Sequence, residues 1–530
     1  MGWPTVLSAI IVIMMSLWTS FLIYEYYQKT KFPSTNTALG LLCHTIPAWS
    51  LYLTCHLAST AINPFNTWFV FLLAFRYWRT AVNIYFWFQY KPAVTAVGEK
   101  LKVTPSMVTV IIPTVGPYAD DVFEEMVTAV LVNGPDTVIF SANTVTATED
   151  VKQVVPGYIA AIAAGTTKYQ AENGLGPMDV KTKIEYVNAL VSNKRRQVVQ
   201  AFSLVNTPVI AMADDTAIWH PRFLSATLPA FNDPSVGFIG TRKWVKRIRP
   251  AWDPTFPLLT NLTTYYHTAF WNTIGALYLI RHNFEIRATN AADGGVFCVS
   301  GRSSLIRSSI VKDPSFIQAF LHEHFLRFPG FFEGFGPVKA DDDNFLTRHV
   351  LDNGWKIKIQ CSDEATMTTT LGTLPLKFHK QCVRWSRSTF RQNPMALFID
   401  RTVWIDWPLT VWTTYFPWMY NAALIWDPLT IYTFMKSDFY QNCTHLCVEY
   451  PKLRLTALIL FIQLTKLVKT IPWFWAHPLD FLLFFVIPAY PLFAYAHSLL
   501  KIYSMFTCWD CKWLGRELPT NEVEVEGKEE

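Results

Sequence analysis

Residues 207–216 read TPVIAMADDT, an apolar, partly β-branched run that stops at two carboxylates. Such a run reads as a buried strand, and its acidic end reads as a turn that presents oxygen ligands. Similar runs stand before it at MVTVIIPTV (107–115) and DTVIFSAN (136–143), and after it at GFIGT (237–241). YADDVFEEMVTAVLVNG (118–134) and IEYVNALVSNKRRQVVQAFSLVN (184–206) lie between successive runs, both with apolar residues at helical spacing. Strand–helix–strand alternation predicts a parallel sheet covered by helices on both faces, with a crevice outside the carboxyl ends of the strands. This α/β character extends over residues 91–401.

The flanks differ. Over 530 residues the chain is 51% hydrophobic and 15% aromatic, and its mean hydropathy is +0.19. These values argue against a purely soluble protein. Long apolar stretches run over 5–24, 39–58, 65–88, 407–434, 455–475 and 480–500. The first reads as a retained anchor, since it lacks a basic start and a small-residue cleavage site. Arg76 and Arg79 interrupt the third, which is a span with snorkelling arginines, a helix along the membrane interface or a helix that packs against others. Pro488 and Pro491 break the last. Lysines and arginines at both junctions predict a cytosolic central domain in a multi-pass membrane protein. The expected organisation is membrane segments over 1–90, the α/β domain over 91–401 with interfacial helices at its end, membrane or channel segments over 402–507, and a cytosolic tail over 508–530.

A formal net charge of +5 suits anionic substrates or lipid headgroups, and the lack of a concentrated basic stripe argues against nucleic acid. Nine scattered cysteines do not make a disulfide scaffold. Asn442-Cys443-Thr444 is a glycosylation sequon with Cys447 close by, and an unmodified short loop is an equal reading. Cys508 and Cys511 have CxxC spacing but no second pair to complete a zinc site.

Four clusters could carry chemistry. Asp214 and Asp215 at a strand end offer hard oxygen ligands for Mg²⁺ or Mn²⁺ bridging a diphosphate, although paired acids are also common in surface turns. Lys339-Ala340-Asp341-Asp342-Asp343 opens a helical pattern, where acids cap the first turn or supply a general base of raised pKa. Lys194-Arg195-Arg196 is a solvated helical face or a set of cations near phosphate. Finally, KFHKQCVRWSRSTFRQ (377–392) precedes an apolar segment. It is a stop-transfer flank, or a site where an arginine grips pyrophosphate while an indole meets a sugar ring.

Taken together, these clusters resemble the family 2 glycosyltransferases, specifically the processive membrane-embedded polysaccharide synthases of hyaluronan-synthase-like type, fungal members included. Gln381-Cys382-Val383-Arg384-Trp385 fits that family's QxxRW motif, and SRSTFR continues the match. Asp342-Asp343 followed by Asn344-Phe345-Leu346-Thr347 is similar to its acidic pair and helix start. NKRRQVVQAF (193–202) resembles its nucleotide-contacting helix, CVSGRSSLIR (298–307) its acceptor-lining segment, and Trp513-Leu514-Gly515-Arg516 its terminal gating motif.

The resemblance implies a multi-pass helical membrane protein with an inserted GT-A-type α/β domain. It assigns the metal to Asp215, with Asp214, Lys194, Arg195 and Asn143 toward the nucleotide and Trp513 and Arg516 in the gate. It assigns the general base to Asp343 beside Asp342, the leaving diphosphate to Arg384, and the acceptor end to Gln381 and Trp385. Arg387 and Arg391 are expected to hold an interfacial helix to lipid headgroups. The implied reaction moves a sugar from a UDP-sugar to a growing β-linked polysaccharide with inversion, and the polymer leaves through the bilayer. A homo-oligomer is compatible with this reading. So are one-step transfer to a lipid and an impaired scaffold that partners an active synthase. Two departures stand out: Ala213-Asp214-Asp215-Thr216 where the family has Asp-x-Asp-Thr, and Ser141-Ala142-Asn143 where an acid follows the second strand.

Overall fold

The computed structural model describes residues 13–14, 16–24, 35–95, 98, 100–117, 121–190, 193–248, 252–327, 331–339, 341–371, 375–441, 450–482 and 489–511. The sequon at Asn442, Cys443 and Cys447, the gating residues Trp513 and Arg516, and residues 5–12 and 15 of the first apolar run lie outside the described residues. The chain divides into two compact units. One comprises Met1–Tyr90, Phe284–Gly295 and Ala396–Ile502, the other Lys91–Asn283, Val296–Met395 and Tyr503–Glu530.

Principal helices are numbered in chain order, beginning with α1 (Thr35–Thr60) and α2 (Pro64–Gln89) in the first unit. The second unit is built on a nine-stranded sheet in the order β3-β2-β1-β4-β7-β6-β9-β5, with β8 paired to β6. The strands are β1 (Val108–Thr114), β2 (Thr137–Ala142), β3 (Lys183–Asn188), β4 (Val209–Ala213) and β5 (Ile218–Trp219). They continue with β6 (Val236–Val245), β7 (Ser303–Arg307), β8 (Lys356–Gln360) and β9 (Thr366–Thr369). The half formed by β3, β2, β1 and β4 is parallel, as the alternation predicts. β7 enters antiparallel to both β4 and β6.

Burial explains the strand sequences. Every residue of β2 and β4 is buried, so these strands read as continuous apolar runs and not as alternating ones. Helix α3 (Asp121–Val132) sets Phe123, Met126, Val127 and Val130 into one core with Val110, Ile112, Val138 and Phe140. Each such side chain contributes about 1.5–3 kcal/mol on leaving water.

The sequence reading is wrong over one region. Residues 184–206 are not a single helix, because their start is β3, while α4 (Val145–Ala164) provides an unforeseen crossover. The Thr144 hydroxyl caps α4 by accepting from Ala147 N, and Gly165 ends it at φ 73. A Cβ at Gly165 would lie 2.9 Å from Pro177, so both the backbone and the space require glycine. The remaining principal helices are α5 (Lys194–Phe202), α6 (Leu258–Asp293), α7 (Asp342–Asp352), α8 (Pro375–Pro394), α9 (Ala423–Lys436), α10 (Pro451–Thr465) and α11 (Ala489–Met505).

Among the described residues, one stretch, Pro451–Ala476, is long and apolar enough to cross a membrane. The expected 407–434 span is not one continuous helix; it is broken at residues 421–422, before α9. Within the first unit, Arg76 of α2 is half-buried and packs toward other helices. It is ion-paired with Asp427 of α9, whose side chain is 1% exposed. The same carboxylate accepts from Lys466 Nζ at 2.9 Å and from the Tyr495 hydroxyl at 2.8 Å. Asp427→Ala would strand two half-buried cations and is expected to cost about 3–5 kcal/mol. Thermal unfolding of the purified protein measures this, and an unchanged melting temperature would contradict it.

Candidate active site

The acids that end TPVIAMADDT follow β4 directly. Asp215 is 4% exposed, and its Oδ2 accepts from the hydroxyl of Thr114, the last residue of β1, at 3.2 Å. Asp214 is fixed through its backbone, donating from N to the Arg302 carbonyl at 2.9 Å. Both carboxylates therefore stand at the carboxyl ends of adjacent parallel strands, where ligands of α/β sheets collect.

Lys194 joins three parts of the chain. It is the first residue of α5, whose N-cap Asn193 accepts from Arg195 N at 3.0 Å. Lys194 Nζ lies 2.9 Å from Asp214 Oδ1 and 3.0 Å from Asp342 Oδ2, and it donates to the Gly301 carbonyl at 3.3 Å. One cation thus holds the β4 acids and the α7 acids together. Burial would lower its pKa, but Asp214 and Asp342 outweigh that and raise it. For Asp214, burial pushes upward, yet Lys194, Arg302 and Arg384 hold its carboxyl below the usual range.

Asp343, in the first turn of α7, is the exception. Its Oδ1 accepts from Asn344 N at 2.9 Å and its Oδ2 from Gly301 N at 3.4 Å. Burial and then the neighbouring Asp342 charge raise its pKa, and Lys194 opposes them only in part. A carboxylate of raised pKa accepts a proton more readily than an ordinary one. Gly301 closes this cluster: a Cβ there would meet Asp342 Oδ2 at 3.0 Å, Asp343 Cβ at 3.2 Å and Lys194 Nζ at 3.4 Å.

Helix α8 carries Gln381, Arg384 and Trp385. Arg384 Nε is buried with no hydrogen-bond partner, and Arg384 has no ion pair among the described residues. The Trp385 ring stacks on Tyr278, with centroids 5.5 Å apart and an interplanar angle of 23°. The Arg302 guanidinium lies 5.4 Å from the Trp385 ring centroid. Among the described residues, the Gln381 side chain has no hydrogen-bond partner.

Two expectations are corrected. Arg195 is 1% exposed and faces the domain interior, not a nucleotide. It donates to Glu323 Oε2 and to the Phe320 carbonyl, both at 2.6 Å, and lies over the Phe320 ring at 4.9 Å. Arg387 and Arg391 do not reach for headgroups, because both are buried, at 5% and 1% exposure. Arg391 binds both oxygens of Asp341, at 2.8 and 3.1 Å, and donates to the carbonyls of Cys508 at 2.8 Å and Asp510 at 3.0 Å. Arg387 pairs with Asp510 at 2.6 Å. Asp341 sits at φ 62 just before α7 and is also bound by the Ser388 hydroxyl. This buried knot fastens α8 to α7, and so ties the position of Arg384 to that of Asp343.

The second departure also has a structural account. Ser141 is buried and donates to the Gln197 carbonyl at 2.7 Å, while Gln197 Nε2 donates to the carbonyls of Thr114 and Ser141 at 2.8 Å. It therefore locks α5 onto the ends of β1 and β2. Asn143 follows β2 and is 5% exposed. Among the described residues no three His, Cys, Asp or Glu side chains gather into a ready metal cage. A cation here would rest on Asp215, with Asp214 nearby, and on oxygens brought by a ligand.

A family profile described as glycosyltransferase-like family 2 matches residues 105–388. A type 2 glycosyltransferase of Pyricularia oryzae is 30% identical over 461 residues, covering 86% of this chain and 83% of that protein. One from Zymoseptoria tritici is 29% identical over 453 residues, covering 85% and 83%. Human hyaluronan synthase 3 is 30% identical over 150 residues, covering 28% of this chain and 25% of that protein.

Proposed function

The chain belongs to the glycosyltransferase-like family 2 and is a glycosyltransferase; from that membership we propose that it elongates a β-linked polysaccharide from a UDP-sugar and passes the polymer across the plasma membrane. The observation that carries the reading is the Lys194 bridge, which sets Asp214 and Asp342 on one ammonium beside Asp343. That bridge supports a site in which the donor and acceptor ends of a transfer reaction meet.

In this reading Asp343 takes the proton of the acceptor hydroxyl as that oxygen attacks the anomeric carbon. The bond to the donor diphosphate breaks on the opposite side, so the configuration inverts. Arg384, whose Nε has no protein partner, faces the negative charge of the departing UDP. Lys194 balances Asp214 and Asp342 and stands toward the nucleotide, as does Asn143. Gln381 and Trp385 border the acceptor, with one side of the indole already against Tyr278. Asp215 would hold Mg²⁺ or Mn²⁺, and such an ion supplies positive charge to the diphosphate. The donor set fits, being hard oxygen with the Thr114 hydroxyl bound alongside. The multi-pass topology, the cytosolic placement of residues 91–401, a channel over 402–507, a tail over 508–530 that gates through Trp513 and Arg516, and a homo-oligomer complete the proposal.

The deciding experiment offers the purified protein a panel of nucleotide sugars with Mg²⁺ or Mn²⁺, and records nucleotide release with product length. Long polymer from a UDP-sugar is expected. Single-sugar lipid products would replace polymerisation by one-step transfer, and no turnover with any donor would favour the scaffold reading.

A pH prediction follows from Asp343. The base works ionised, so kcat/KM should rise with pH through its raised pKa, placing the acid limb above the ordinary carboxylate range. Asp342→Asn removes a like charge, lowers that pKa and shifts the limb to lower pH. A limb that stays in place would separate Asp342 from the base.

A further inference from the structure

We infer that Arg302 is a second guanidinium for the donor diphosphate, acting with Arg384; this rests on the glycosyltransferase reading of the same site. Arg302 follows Gly301 in the segment that closes on Lys194, Asp342 and Asp343. Its position is set from several sides: the carbonyl accepts from Asp214 N at 2.9 Å, Nη1 donates to Thr369 Oγ1 at 3.0 Å, and the guanidinium lies over Trp385. Yet neither Arg302 nor Arg384 has an ion pair among the described residues, because the nearby Asp214 is taken by Lys194.

Burial lowers the pKa of Arg302; Asp214 opposes it, the neighbouring Arg384 charge adds to the lowering, and Asp343 opposes again. Two guanidiniums within each other's field, neither closed into an ion pair among the described residues, are costly to hold. An anion with several oxygens relieves that cost, since each guanidinium can give it paired N–H bonds. The leaving diphosphate is such an anion, and it must lie near Asp215 and Arg384 if transfer occurs here. The Thr369 bond and the Trp385 face fix one edge of the Arg302 fork.

The test is calorimetric binding of inorganic pyrophosphate, UDP and uridine to the full chain, with Mn²⁺ and with chelator. Parent, Arg302→Ala, Arg302→Lys and Arg302→Gln are compared, each with a melting curve. Arg302→Ala should weaken pyrophosphate and UDP roughly ten- to hundredfold, as loss of a charge-assisted hydrogen bond does. Uridine should bind as in the parent, and Arg302→Lys should fall between the two. Pyrophosphate binding that is absent in the parent, or unchanged in the variants while melting shifts, would make Arg302 a packing residue and overturn the inference. Pyrophosphate that binds through Arg302 without any gain from the uracil of UDP would support Arg302 and count against a UDP donor.

Discussion

Asp343→Asn is expected to lower kcat roughly 10²–10⁴-fold, the usual weight of a positioned base, while UDP affinity stays unchanged. Asparagine has nearly the shape of aspartate, and its amide oxygen can still accept from Asn344 N, so only the longer bond from Gly301 N is given up. Lys194 keeps both its carboxylate partners, Asp214 and Asp342, so the bridge between β4 and α7 survives. What is lost is the ability to take a proton. A melting temperature near that of the parent together with collapsed turnover is therefore the signature of the base. Stopped turnover with weakened UDP binding would instead mean that the substitution disturbed the donor site. A variant turning over at nearly the parent rate would remove Asp343 from the role.

The sequence carried the catalytic sheet well and its partnerships poorly. Strands β1, β2 and β4 could be read because burial on both faces makes them short apolar runs, and Asp214 and Asp215 mark where one of them ends. Residues 184–188 were misread as the start of a helix because β3 is only half-buried and carries polar residues, and α4 was not anticipated at all. The Lys194 bridge spans 148 positions to Asp342, and no local pattern announces such a pairing. Family resemblance placed these residues in one site, whereas spacing could not. Arg391 and Arg195 misled for a related reason. A basic residue beside an apolar segment looks like a lipid anchor or a phosphate ligand until its carboxylate partner, far away in sequence, is seen. Arg302 escaped notice because a lone arginine in a mixed segment has no pattern at all.

Arg391→Met is expected to cost about 3–5 kcal/mol of stability, since it leaves the Asp341 carboxylate buried without its cation. Asp341→Gly should cost less: Arg391 keeps the carbonyls of Cys508 and Asp510, and glycine suits the φ of 62 better than aspartate does. With both charges removed, the double variant should be more stable than the sum of the single losses by about 1–3 kcal/mol, the coupling expected of residues in one network. Acidity separates this pair from ordinary packing. Burial alone would raise Asp341, but Arg391 and Ser388 hold it below the usual carboxylate range. Its contribution is therefore complete at neutral pH and fades as pH falls through that lowered value, so the parent should lose melting temperature in acid more steeply than the double variant. Turnover should not recover with stability. The pair holds α8 against the start of α7, and without it Arg384 and Asp343 lose their common frame. Additive losses, or a double variant with parental kcat, would show that Arg391 and Asp341 act independently and that something else sets the distance between Arg384 and Asp343.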